Sequence, residues 1–126
     1  EVLITADTVV CIHDRILGKP ADRKEAISML RKLSGNRHLV VTGVSVTTRT
    51  EQLSFSSRTD VFFKHLSNEE IIFYVDTYKP FDKAGAYGIQ EWIGYIGIER
   101  IEGSFYNVMG LPIQKLYETL RKLQFQ

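Results

Sequence analysis

The sequence predicts a mixed α/β (α+β) domain, a twisted mixed sheet with flanking helices. Three observations lead there. Several runs are β-branched or alternate apolar with polar residues, as strands do. Other segments carry apolar residues at helical spacing behind capping signals. The link Arg49-Thr50-Glu51 between two strand-like runs is short enough to imply a long antiparallel hairpin.

The elements follow in order. Val2 to Val10 reads as a buried strand, with Asp7 on the face of Leu3, Thr5 and Val9. An ionised carboxylate there is costly unless it is paired or bound to a metal. A lone Asp is more often an exposed residue at a strand end. Cys11 to Pro20 reads as a turn that leaves Lys19 rigidly exposed between Gly18 and Pro20. Asp22 to Leu33 is a helix with a capping box from Asp22 and Glu25, an apolar stripe of Ala26, Met29, Leu30 and Leu33, and Gly35 as its stop. His38 to Thr48 and Gln52 to Phe63 are the hairpin strands. The polar face of the second reads as solvated sheet, with Arg58 as the residue to watch. Ser67 to Tyr78 is a second capped helix with Ile71, Tyr74, Val75 and Tyr78 inward. Tyr95 to Glu102 is a further strand, and Gly103 to Gly110 a loop. Pro112 opens a last helix with Ile113, Leu116, Tyr117, Leu120 and Leu123 on its core face.

Composition narrows the function. The chain has 126 residues, 44% of them hydrophobic, which fits one domain with one core. A net charge of +1 gives no basic field for nucleic acid or an anionic membrane. No apolar run reaches membrane-spanning length and no signal peptide is visible. Cys11 is the single cysteine, so no disulfide forms within the chain and a reducing, cytoplasmic setting is the simplest. The chain opens at Glu1 directly into an apolar run, and we expect residues to precede it in the natural protein.

Zinc spacing, a Walker loop and the dinucleotide glycine pattern are absent from the sequence. The chemistry concentrates in Asp82 to Gln90, which joins a carboxylate, an ammonium, two glycines and an amide. Such a loop can bring its backbone close to a ligand. An ordinary loop with a surface ion pair is the competing reading. Asp7, Lys19, Lys83 and Gln90 together suit a phosphate-bearing, metal-assisted substrate. The lysines neutralise phosphate charge, and the carboxylate holds a divalent ion or activates water.

Taken in order, several motifs resemble one known family. They are Ile4 to Val10, Leu17-Gly18-Lys19-Pro20, Leu33-Ser34-Gly35 with His38, Val41-Thr42-Gly43, Asp82 to Gln90, and Gly103 to Pro112. The chain is similar along its length to the Maf nucleoside triphosphate pyrophosphatases. The resemblance implies a fold like that of the inosine triphosphate pyrophosphatases, with a site in a cleft between two lobes. It also implies a divalent cation, Mg or Mn, and a homodimer. The implied reaction cleaves a nucleoside triphosphate between its α and β phosphates and cleans the nucleotide pool.

Residue by residue, Asp7 matches the proton acceptor and metal-linked carboxylate, and burial would help raise its basicity. Lys19 and Lys83 match lysines near the phosphates, and Thr8 and Gln90 match positions that help choose the base. Lys83 with Tyr87-Gly88-Ile89-Gln90 is similar to the branch that prefers dTTP and UTP. The Gln90 amide can both donate to a carbonyl and accept from the ring N–H of uracil or thymine. Relative to the family, residues 1–126 form one Maf-like domain that lacks the family's first strand and its Ser/Arg-rich phosphate loop. Two alternatives stand beside this reading. One is a non-catalytic domain that binds nucleotide or partner proteins in cell division. The other is a pyrophosphatase for 7-methyl-GTP.

Overall fold

In a computed structural model, which describes residues 1–124, one five-stranded sheet carries helices on one face. The strands are β1 (Leu3–Ile12), β2 (Arg15–Leu17), β3 (Arg37–Thr47), β4 (Gln52–Phe63) and β5 (Ile98–Glu102), in the spatial order β2-β1-β3-β4-β5. The helices are α1 (Arg23–Leu33), α2 (Asn68–Tyr78), α3 (Trp92–Gly97), α4 (Phe105–Val108) and α5 (Ile113–Gln124), with a 3-10 turn at Ala84–Ala86. The expected combination of helices and sheet is present. Every strand pairing is antiparallel among the described residues, so the sheet itself is not of mixed sense.

The side chains at even positions of β3 explain the layering. His38, Val40, Thr42, Val44 and Val46 all lie on the covered face and are all buried. Around Val40, a first core cluster joins Val10, Ile12, Val61 and Phe63 to Leu30 and Leu33 of α1 and Ile71, Tyr74 and Val75 of α2. Around Val44 and Val46, a second cluster forms with Leu116 of α5, with Phe55, Leu120 and Leu123 packed against it. Between the two, the face carries the polar Thr42. These two clusters divide the covered face of the sheet between them.

Several local expectations change. Val2 to Val10 is not buried as a whole: Glu1 to Asp7 are exposed, and burial begins only at Val10. β2 pairs only with Val10, Cys11 and Ile12, so among the described residues no strand flanks Leu3 to Val9 on that edge. The segment read as a turn is in fact a tight hairpin. Ile12 pairs with Arg15, and His13 and Asp14 both have positive φ, 49° and 62°. That is type I′ geometry. His-Asp lacks the Asn-Gly signature that usually announces it.

Residues 95–97 belong to α3 rather than to a strand. Gly94 packs so closely that a Cβ there would lie 1.9 Å from the Ile89 carbonyl oxygen, so this point of α3 accepts only glycine. The loop after β5 contains α4, capped by Ser104. On α5, Leu116 faces inward, but Ile113 and Tyr117 are exposed. Tyr78 is likewise partly exposed, stacked on Tyr74. The capping box of Ser67 and Glu70 forms as expected. At α1, Asp22 caps the helix while Glu25 reaches back to the Ala21 N–H.

Candidate functional site

A cavity of about 450 Å³ opens beside β1 at the point where β2 ends. After Leu17 the chain leaves the sheet at Gly18, so the edge of β1 at Asp7, Thr8 and Val9 has no strand beside it. Gly18 and Lys19 line one side of the cavity. Asp82, Lys83, Gly88 and Gln90 line another, and Val108, Met109 and Gly110 close it from the α4 end. Asp7, Thr8, Lys19, Lys83 and Gln90 were each singled out from sequence, and all five line this one cavity. Arg58 does not. It lines a separate cavity with Ser56, Ser57, Ser104 and Lys115.

The two lysine loops are joined by backbone. The Gly85 N–H donates to the Gly18 carbonyl at 3.1 Å. Gly85 has φ 72°, and a Cβ there would meet Val10 Cγ2 at 3.0 Å. Only glycine lets this loop lie against β1 in that conformation. The contact brings the segment after Lys83 onto the residue before Lys19. Lys83 Nζ donates to Asp82 Oδ1 at 3.1 Å. The Lys83 hydrogen bond is the main reason that the Asp82 carboxyl sits below its usual range, and Lys19 adds to it from farther off.

Thr8 faces inward, opposite Thr42 in the β1–β3 register. Their hydroxyls are hydrogen-bonded at 2.9 Å, and Thr42 donates onward to the Asn107 carbonyl at 3.3 Å. Asn107 is fully buried. Its amide bonds to the carbonyls of Val40 and Ser57 and to Thr59 Oγ1. This pegs α4 to the sheet between the two core clusters and so fixes the Val108–Gly110 wall. Sequence reading missed Asn107. It lies in the Gly103 to Pro112 motif, where the sequence marks it only as an amide within an otherwise apolar Phe-Tyr-Asn-Val run.

Asp7 departs from expectation in one respect. It lies on the cavity but is exposed, so the burial expected to raise its basicity is not present. Any catalytic role rests on its place at the open strand edge. For a metal, the cavity offers the carboxylates of Asp7 and Asp82, and among the described residues no group of three or more ligating side chains gathers. That donor set suits a Mg-type ion, which is held by one or two carboxylates with water and substrate phosphate completing its shell.

Beneath the cavity, the Tyr87 hydroxyl meets His38 Nε2 at 2.6 Å. Burial pushes His38 down to about 4 and pushes Tyr87 up. Tyr74 of α2 bonds both to the Gly88 N–H and to Glu91. On sequence Tyr74 read as a core residue only, and nothing in the helical pattern marked its hydroxyl as special.

The profile of the family described as Maf-like protein matches residues 1–123. The chain belongs to the Maf family. Close relatives carry the name dTTP/UTP pyrophosphatase. The one from Bacteroides thetaiotaomicron is 62% identical over 123 residues, covering 98% of this Maf chain and 64% of its own length. The Porphyromonas gingivalis W83 protein is 62% identical over 120 residues, covering 95% and 60%. The Bacteroides fragilis YCH46 protein is 59% identical over 123 residues, covering 98% and 64%. This Maf chain thus spans a little under two thirds of the length of these relatives.

Proposed function

We propose that this chain contributes the catalytic and base-reading part of a nucleoside triphosphate pyrophosphatase acting on dTTP and UTP. The observation that carries the reading is the cavity itself. Two carboxylates (Asp7 and Asp82), two lysines, a threonine and a glutamine, from three separate segments, line one space. The names of relatives at about 60% identity support the same substrate class.

In this reading Lys19 and Lys83 hold the triphosphate and offset charge that builds up on the leaving pyrophosphate. Asp7 accepts a proton from a water at the open edge of β1. The water adds across the α–β anhydride, and a nucleoside monophosphate and pyrophosphate leave. Gln90 pairs with the uracil or thymine edge, and Thr8, its hydroxyl fixed by Thr42, stands beside it. A divalent cation, Mg or Mn, bound at Asp7 would polarise phosphate oxygens. Homodimeric assembly and the cytoplasm complete the reading, supported by the family resemblance and by a free Cys11. No described helix is long and apolar enough to cross a membrane.

The test is a product assay with UTP and Mg or Mn that counts pyrophosphate and orthophosphate separately. Pyrophosphate with UMP is the expected result. Orthophosphate with UDP, or no release, would contradict the proposal.

A further inference from the structure

The turn that presents Gln90 is held by the buried Ile89 side chain and, from outside the cavity, by the phenol of Tyr74. The Glu91 N–H donates to the Gly88 carbonyl at 3.0 Å, closing a turn in which Gln90 is the third residue. Tyr74 sits on α2 and is fully buried. Its hydroxyl reaches both ends of that turn, accepting from the Gly88 N–H at 3.0 Å and donating to Glu91 Oε1 at 2.5 Å. Burial first, then the bond to Glu91, push the Tyr74 hydroxyl above its ordinary range, so it stays protonated and keeps its donor. Lys83 joins the same assembly. A Cβ on Gly88 would lie 2.9 Å from Lys83 Cε and 2.9 Å from Glu91 Oε1. The lysine stem and the carboxylate therefore both lie against this glycine.

We propose that Tyr74 is a positioning residue that fixes Gln90 and Lys83 relative to each other, so that base choice depends on a side chain that does not line the cavity. The inference rests on the dTTP/UTP reading of Gln90. Uracil and cytosine present opposite donor and acceptor patterns at ring position 3 and at the neighbouring exocyclic group. An amide held in one place reads one of them, and an amide on a loose turn adapts to both. One phenol tied at both ends of a four-residue turn holds the backbone from which Gln90 projects, and so limits the positions its amide can reach. Core packing alone would ask only for the Tyr74 ring, which Phe supplies.

The experiment compares Tyr74→Phe and Glu91→Gln with the unaltered chain on UTP and CTP, with thermal unfolding alongside. Tyr74→Phe should lower the UTP-over-CTP ratio of kcat/KM by about 10-fold or more, since a misplaced polar pair loses discrimination of that order. Glu91→Gln keeps an acceptor for the phenol and should retain most of the ratio. A Tyr74→Phe variant that melts earlier but discriminates as before would overturn the inference and leave Tyr74 a structural residue. If the unaltered chain releases no pyrophosphate, the pyrophosphatase reading fails by itself. The same comparison is then made by calorimetric binding of UMP and CMP. Loss of a UMP preference in Tyr74→Phe would uphold the inference. A retained preference, or none in the unaltered chain, would overturn it.

Discussion

Asp7 shows how a residue's place can matter more than its surroundings. It is exposed, its carboxylate makes none of the described hydrogen bonds, and it stands on the edge of β1 beyond the end of β2. Replacing it should therefore cost catalysis and not stability. Asp7→Asn should reduce UTP turnover by about 100-fold or more, the usual scale for losing a positioned base, and leave the unfolding midpoint unchanged. Steady-state rates and thermal melts on the same preparations check both halves. Sequence found this residue, with Lys19, Lys83, Thr8 and Gln90, because their polar groups sit in short motifs whose order resembles a known family. It misjudged the burial of Asp7, because strand periodicity tells which face a residue shares and not whether anything covers that face.

At the scale of elements, the site depends on where strands and loops stop. The short β2 opens the edge of β1, and the Gly85–Gly18 contact then brings the two lysine loops together. Gly85→Ala would place a Cβ at 3.0 Å from Val10 in a left-handed backbone conformation. The left-handed penalty alone is about 1–2 kcal/mol. We expect a loss of that order in urea unfolding, with a raised KM for UTP as Lys83 moves away from Lys19. The long hairpin and the two capped helices were legible, because each is specified by a local pattern of ten or more residues. The β1–β2 hairpin, α3 and α4 were not. Their short spans are set by positive φ at His13 and Asp14, by the packing of Gly94 on Ile89, and by the buried Asn107 peg. None of these leaves a periodic trace.

Across the whole molecule, one sheet face carries both core clusters, and a polar group buried beside the larger one is sensitive to acid. His38 is buried against the larger cluster, stacked on Phe63 and bonded to Tyr87, while its Nδ1 has no partner. An imidazolium there would leave a buried N–H unsatisfied, which agrees with a value held near 4 by burial. The folded-state value lies below the ordinary 6.5, so the unfolded chain binds the proton first as pH falls. The contribution is complete above pH 6.5 and is lost between 6.5 and about 4. A shift of this size corresponds to roughly 3 kcal/mol. His38→Phe should flatten that part of the stability profile, as read from urea midpoints at pH 7 and pH 4.5. An unchanged acid slope would show that other groups carry it.

The claim that the Asp7–Gln90 cavity is the nucleotide site has one most direct measurement, a titration of the isotopically labelled chain with UMP followed by amide chemical shifts. We predict that the responsive amides include those of Thr8, Val9, Lys19, Lys83, Gly88 to Gln90, Met109 and Gly110, which are among the residues that line that cavity. Shifts gathered instead around Arg58, Ser104 and Lys115, which line the other cavity, would contradict the account, as would no response to UMP.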